Sequence, residues 1–271
     1  MSRTPLLPER PRPLLFAHRG CSSLAPENTM ASYRKARELG SPGIELDVHL
    51  CATGELVVAH DDTFVRTAPP DANGRGRNVE ELTLKEVRAI DVGSFFGPGF
   101  SGERPPLLEE VLEEFCPALY VDIELKTRKV KDDPLPGLMA AKLKAMGTAI
   151  EQSVTISSFN PFSLFAFKKE APHIPTAVIY CAETEVPWFL RRGFGRFFAA
   201  CDYAKPIHLQ VNRLSRFCIA ALEKRPLVPW TIDDPALAER VLKLGCEGII
   251  TNCPQTFCTP GGGFVRPYVT A

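Results

Sequence analysis

No stretch of this chain approaches the roughly 18 consecutive apolar residues that a membrane-spanning helix needs, so no spanning segment is expected. The first residues, Met1 to Pro13, are broken by prolines and hold no apolar core of signal-peptide length. Export by an ordinary signal is not expected, and a cytoplasmic location is. Charge of one sign is also missing: 32 Lys and Arg stand against 32 Asp and Glu. A chain without a net field has no general attraction for a polyanion, so no nucleic-acid partner is expected. The nine cysteines lack paired spacing. Cys246, Cys253 and Cys258 cluster, but no second pair of thiols or histidines completes a zinc pattern. They read as reduced packing residues. There is no internal repeat and no break in composition. The 271 residues therefore suit one large domain, close to the roughly 250 of a single α/β barrel.

What is present is concentrated between Gly43 and Asp62. Ile44, Leu46, Val48 and Leu50 alternate with other side chains, which is the period of a strand. Glu45 and Asp47 then share one face. Thr53 and Gly54 signal a turn, and the chain returns through Leu56 to Ala59 to bring His60 near the same place. Two carboxylates and a histidine joined by a short hairpin suggest a metal site with an acid or base beside it. One Glu-x-Asp alone would read as solvated charge on an edge strand. Two further clusters repeat the pattern: His18-Arg19-Gly20 ends the apolar run Leu14 to Ala17, and Glu124-Leu125-Lys126 ends Leu119 to Ile123. Ionisable residues at the carboxyl ends of several strands are the layout of a β/α-barrel active site.

These residues resemble the glycerophosphodiester phosphodiesterase family. The matching pieces are His18-Arg19-Gly20, Pro26-Glu27-Asn28-Thr29, Glu45-x-Asp47-Val48, Val58-x-His60-Asp61, Glu124-x-Lys126, Trp230-Thr231, and Gly248 to Asn252 with Pro254. They run in family order over nearly the whole chain. The resemblance implies metal-dependent hydrolysis of a small-molecule glycerophosphodiester to glycerol 3-phosphate and an alcohol. Glu45, Asp47 and Glu124 are the expected ligands of one divalent cation. Oxygen ligands without thiols favour Mg²⁺ or Ca²⁺. His18 and His60 are the expected acid/base pair, with their order left open. Arg19 and Lys126 are the expected phosphate clamps. Glu27 and Asn28 are expected to support them, and Trp230 to wall the alcohol side or fill the barrel interior. His49 and His173 lack acidic company and read as structural; His208 reads equally as packing or substrate contact. Two rival readings remain: a lysophospholipase D acting on acyl-bearing glycerophospholipids, and a non-catalytic phosphodiester-binding relative.

The expected fold is α/β, a (β/α)8 TIM barrel with an insertion after the second strand. Residues 1–13 form an extended segment, 14–258 the barrel domain with its insertion at 63–106, and 259–271 a loose tail. Strands are expected at Leu14–Ala17, Gly43–Leu50, Leu119–Leu125, Val154–Ser158, Thr176–Tyr180, Ile207–Val211, Leu227–Ile232 and Gly248–Thr251. Helices are expected near Thr29–Leu39, Leu107–Phe115, Leu138–Met146, Pro161–Lys169, Ser215–Glu223 and Pro235–Leu244. Within the insertion, Thr83 and Glu86 form a capping box for a short helix over Leu84–Ile90. So long a structured insertion is expected to be functional, and the family resemblance implies that it overlies the active site. The basic and aromatic stretch Trp188–Phe198 reads as a helix packed on the barrel with a solvated basic face. Membrane contact is its minority reading, because two glycines interrupt the helical face.

Overall fold

The structure, a computed structural model, describes Leu7 and residues 12–182, 187–188, 190–199, 201–259 and 263–264. The expected N-terminal segment and tail lie largely outside these residues. Strand β1, Leu14–His18, is followed by α1, Met30–Glu38. Thr29 caps α1 by accepting from the Ser32 amide, and Gly40 leaves it at a φ of 81°. β2, Gly43–Leu50, pairs parallel with β1 and antiparallel with β3, Leu56–Val58, as the hairpin reading requires. The insertion then carries α2, Leu84–Ala89, started by the Thr83–Glu86 capping box. It has a small core of its own, in which Phe64, Val79, Leu82, Val87 and Ile90 pack on Val57.

After it come α3 (Leu108–Phe115), β4 (Tyr120–Leu125), α4 (Leu135–Met146), α5 (Thr148–Glu151), β5 (Val154–Ser158), α6 (Pro161–Glu170) and β6 (Thr176–Tyr180). β7 is Tyr203–Pro206. A short α7, Arg213–Ser215, runs on into a π-helical stretch, Arg216–Leu222. The rest is α8 (Pro235–Lys243), β8 (Gly248–Thr251), α9 (Pro254–Phe257) and a two-residue ribbon of β9 (Cys258–Thr259) with β10 (Gly263–Phe264). The sheet order is β7-β6-β5-β4-β2-β1-β8, with the barrel strands parallel.

Two expected strands differ. The sixth lies at Tyr203–Pro206, not Ile207–Val211; the latter stretch holds a 3-10 turn, His208–Gln210. Lys205 disguised the strand, because a buried lysine breaks the apolar run that signals one. The seventh, Leu227–Ile232, is not a regular strand. Pro226 and Pro229 have no N–H to give a ladder. The segment still fills the strand position. Val228 and Trp230 donate to Ala204 and Pro206 on one side, and Ile250 donates to Pro229 on the other. Ile232 returns a bond to Ile250, so the ring is closed between β7 and β8. Along Trp188–Phe198 the described residues form turns and a 3-10 segment, Phe194–Phe197, not the helix expected.

The barrel floor explains two residues that periodicity alone does not. The Tyr120 ring lies edge-on to Phe16 at 4.8 Å, among Leu14, Tyr203, Val228 and Ile250. Its hydroxyl accepts from the Leu15 amide at 2.7 Å and donates to the Leu15 carbonyl at 2.8 Å. β1 and β2 pair only from Ala17 and Ile44 upward, so this phenol satisfies backbone groups below the pairing. A Cβ on Gly43 would run into that ring, which is why glycine stands there. Tyr120→Phe is expected to lower unfolding stability by about 2 kcal/mol, the cost of leaving buried backbone groups unsatisfied. Guanidinium denaturation of both proteins measures it, and an unchanged midpoint would refute this role.

Candidate active site

The parallel register sets the site. His18 is level with Glu45, Glu45 with Asp122, and Asp47 with Glu124. Residues distant in sequence thus come together at the carboxyl ends of β1, β2 and β4. Glu45, Asp47 and Glu124 are all buried, with ligand oxygens within 4.8 Å of one another. The expected clamps reach them. Lys126 Nζ lies 3.0 Å from Glu124 Oε1 and 3.6 Å from Asp47 Oδ1. Arg19 Nε lies 3.4 Å from Asp47 Oδ2, and the Arg19 amide donates to Glu45 Oε2 at 3.0 Å. Arg19 has a φ of 55°, a left-handed turn that aims this amide back at the carboxylate.

Glu27 and Asn28, the two residues expected to support the clamps, make direct bonds here. Asn28 Nδ2 donates to Asp47 Oδ2 at 2.9 Å, and Asn28 Oδ1 accepts from the Tyr33 hydroxyl at 2.8 Å. Glu27 accepts from Arg19 Nη1 at 3.0 Å. Beneath the triad, Lys205 Nζ pairs with Asp122 Oδ2 at 2.7 Å and donates to Ser157 Oγ at 3.0 Å.

These charges act on one another. Burial, then the neighbouring Asp47, pushes the Glu45 carboxyl well above its usual range. Burial opposes the Asp47 charge as well, but Lys126 and Arg19 outweigh it and hold that carboxyl below its usual range. A cluster of three buried carboxylates, one of them resisting ionisation, fits a cation. Asp47 Oδ1 is buried without a hydrogen-bond donor, and an all-oxygen set suits a hard divalent ion.

The two histidines are held differently. Asn252 Nδ2 donates to Asp233 Oδ2 at 2.7 Å, which fixes its amide orientation. Its Oδ1 therefore faces His18 Nδ1 at 2.7 Å and Ser22 Oγ at 3.0 Å. An amide oxygen only accepts, so His18 carries its proton on Nδ1 and keeps a lone pair on Nε2. Burial and then Arg19 lower its pKa to about 4, so the ring is neutral near pH 7. His60 Nδ1 instead faces the carboxylate Asp61 Oδ1 at 2.6 Å, an acceptor that carries a full charge. Arg66 from the insertion links the two sides. Its Nε donates to Asp61 at 2.8 Å, and its Nη1 and Nη2 to Glu27 at 2.6 and 2.7 Å. Arg66, Phe64 and Thr63 line a small pocket with His60 and Glu27, so the insertion reaches the site.

Across the mouth the lining is apolar. Trp230 is half-buried, donates to the Lys205 carbonyl at 2.9 Å and meets Phe159 edge-on at 5.8 Å. Cys181, Leu190 and Ile207 complete this wall. His49 is buried with Nε2 3.3 Å from the His60 carbonyl, and His173 pairs with Glu151 on the surface. His208 sits in the 3-10 turn after β7, where its amide donates to the Trp230 carbonyl. The sequence reading gave no role to Asp61, Arg66, Asn252, Asp233 or Lys205. Asp61 and Asn252 lay inside the matching motifs and were open to it. The other three become visible only through contacts between distant segments.

Residues 18–256 match the glycerophosphoryl diester phosphodiesterase family. The chain is 39% identical over 245 residues to the glycerophosphodiester phosphodiesterase of Caldanaerobacter subterraneus, covering 90% of this chain and 95% of that relative. A protein of the same name from Bacillus altitudinis is 32% identical over 248 residues, 89% of this chain and 95% of its own. Among solved structures, an Oleispira antarctica phosphodiesterase in complex with the product sn-glycerol-3-phosphate is similar with a TM-score of 0.77. It is 26% identical, and the match covers 90% of this chain and 94% of that one. The chain belongs to the glycerophosphoryl diester phosphodiesterase family, and its enzyme class is the one the sequence motifs imply.

Proposed function

We propose that this protein hydrolyses glycerophosphodiesters to sn-glycerol 3-phosphate and an alcohol. The observation that carries the reading is one barrel mouth holding a buried carboxylate triad, two cationic side chains and two histidines with opposite partners. Glu45, Asp47 and Glu124 would hold a divalent cation, Mg²⁺ or Ca²⁺, which supplies Lewis acidity to a phosphate oxygen and to a bound hydroxyl. Arg19 and Lys126 bind and orient the anionic phosphate. His18, with a free lone pair on Nε2, takes the proton from the attacking oxygen. That oxygen comes from water, or from the substrate's own glycerol hydroxyl, in which case a cyclic phosphate forms as the alcohol leaves and water opens it to glycerol 3-phosphate in a second step. His60, backed by Asp61, gives a proton to the leaving alcohol. A phosphodiester-binding module needs neither proton transfer, which argues against the non-catalytic reading. The apolar wall of Phe159, Ile207 and Trp230 supports a second substrate class, lysophospholipids, because one side of the mouth accepts hydrocarbon.

Three measurements test these roles. Release of choline from glycerophosphocholine is expected to stop in EDTA and return with Mg²⁺ or Ca²⁺. His18→Ala is expected to lose about 10²- to 10⁴-fold in kcat. Turnover that survives both treatments would remove the assignment. The acid limb of the kcat/KM profile is expected near pH 4, because burial and Arg19 keep His18 neutral until then. A limb near 6.5 would disqualify His18 as the base. Arg66→Met is expected to lower kcat at least about tenfold with the fold intact, since it frees both Asp61 and Glu27. Equal kcat in both proteins would make Arg66 a surface residue only.

A further inference from the structure

The loops after β5, β6 and β7 form a surface that the proposed chemistry does not use. Nine of the fifteen exposed large apolar side chains among the described residues lie within residues 159–165, 187–199 and 207–217. Trp188 is 80% exposed, Phe197 61%, Leu209 74% and Leu214 70%. A protein surface seldom gathers so many without a partner. The loops are joined to one another. Phe162 at the start of α6 stacks on Phe198 at 6.5 Å, and Gln210 Nε2 donates to the Arg191 carbonyl at 2.9 Å. They also continue the apolar wall of the mouth, through Phe159 on one side and Leu190 and Ile207 on the other.

Within residues 159–165, 187–199 and 207–217 the charge is of one sign, although the loop after β6 also carries Glu183, Glu185 and Asp202 outside them. The three segments contain five Arg and no Asp or Glu, in a chain whose formal charge is zero. Arg196 is buried and bound to Glu223 at 2.9 Å, but Arg192, Arg213 and Arg216 are exposed beside the apolar groups. Aromatic and aliphatic side chains interleaved with exposed guanidinium groups match the boundary of an anionic bilayer. There the rings enter the headgroup region and the cations stay at its surface. A single-stranded nucleic acid would also attract the charge. It offers nothing to Leu209 and Leu214, however, and its stacking platforms are grooves rather than projecting loops.

We infer that the rim formed by the loops after β5, β6 and β7 docks this protein on an anionic phospholipid surface, with the barrel mouth facing the lipid. All three loops leave the carboxyl ends of their strands, the end that carries the carboxylate triad. Docking would therefore bring diesters held in the lipid surface to the apolar side of the mouth. The docking itself is independent of the proposed hydrolysis, and binding is measured without turnover.

The test is co-sedimentation of the full chain with vesicles of phosphatidylcholine alone and of phosphatidylcholine mixed with phosphatidylglycerol. The protein is expected to sediment with the mixed vesicles, less so in high salt, and to leave the neutral ones in solution. Trp188→Ser with Phe197→Ser is expected to weaken partitioning at least about tenfold, because each ring removed from the lipid forfeits most of its transfer energy. Both side chains are exposed, and circular dichroism of the variant checks that it folds. Vesicle-induced blue-shifted fluorescence from Trp188, absent in Trp188→Ser, is the second reading. The inference is overturned if neither vesicle sediments the chain, if the double variant binds as well as the parent, or if only a single-stranded oligonucleotide binds.

Discussion

The site depends on charge compensation inside the barrel. Glu45, Asp47, Asp122 and Glu124 are all buried, and a lone buried carboxylate is costly enough that it usually takes up a proton instead. Arg19, Lys126 and Lys205 are the cations that reach them. Four carboxylates against three cations leave one negative charge, and Glu45 is the group whose ionisation burial and Asp47 oppose. A divalent ion on the triad would turn that deficit into a single positive charge. A phosphodiester carries a single negative one. The proposed substrate and the proposed cation are thus matched by the same charge count, to which the buried Lys205 paired with Asp122 contributes one of the three cations.

The mouth is divided by strand. β1, β2 and β4 present the ionisable groups, while the ends of β5, β6 and β7 and the segment Leu227–Ile232 present Phe159, Cys181, Ile207 and Trp230. A diester has the same division, an anionic phosphate flanked by organic substituents. Parallel strands make this economical in sequence, since each contributes one or two residues at its carboxyl end and the register aligns them. The insertion completes the charged side. Arg66 has a carboxylate from the β1 loop on one edge and a carboxylate from the β3 loop on the other, so it couples the environment of Arg19 to that of His60.

What could be read from the sequence follows from this geometry. Glu45 and Asp47 were legible because a strand repeats every second residue, and His60 because a hairpin returns the chain. The eight-strand rhythm was legible too, even where prolines leave Leu227–Ile232 without regular pairing, since apolar content marks the position and not the ladder. Tyr203–Pro206 was missed because Lys205 is buried by virtue of Asp122, which lies more than eighty residues earlier. Arg66 was missed for the same reason. Its partners belong to two loops, and an arginine in a charged insertion gives no sign of either. The helix expected at Trp188–Phe198 failed on Gly193, which takes a φ of 73°, and on Gly195, whose missing Cβ lets Val178 and Pro161 close in.

The order of the two histidines, open in the sequence, turns on residues that carry no catalytic chemistry. An imidazole beside an amide oxygen is fixed in one neutral tautomer, whereas an imidazole beside a carboxylate gains from being charged. Asp233 fixes the Asn252 amide, which in turn fixes His18, and Asp61 receives His60. In the reverse roles His18 would have to hold its second proton before the reaction begins, next to Arg19 in a buried setting, where both burial and the guanidinium oppose it. The proposed assignment of His18 as base and His60 as acid therefore rests on Asn252 and Asp61 more than on either ring, and exchanging the character of those two partners is the change expected to exchange the proposed roles.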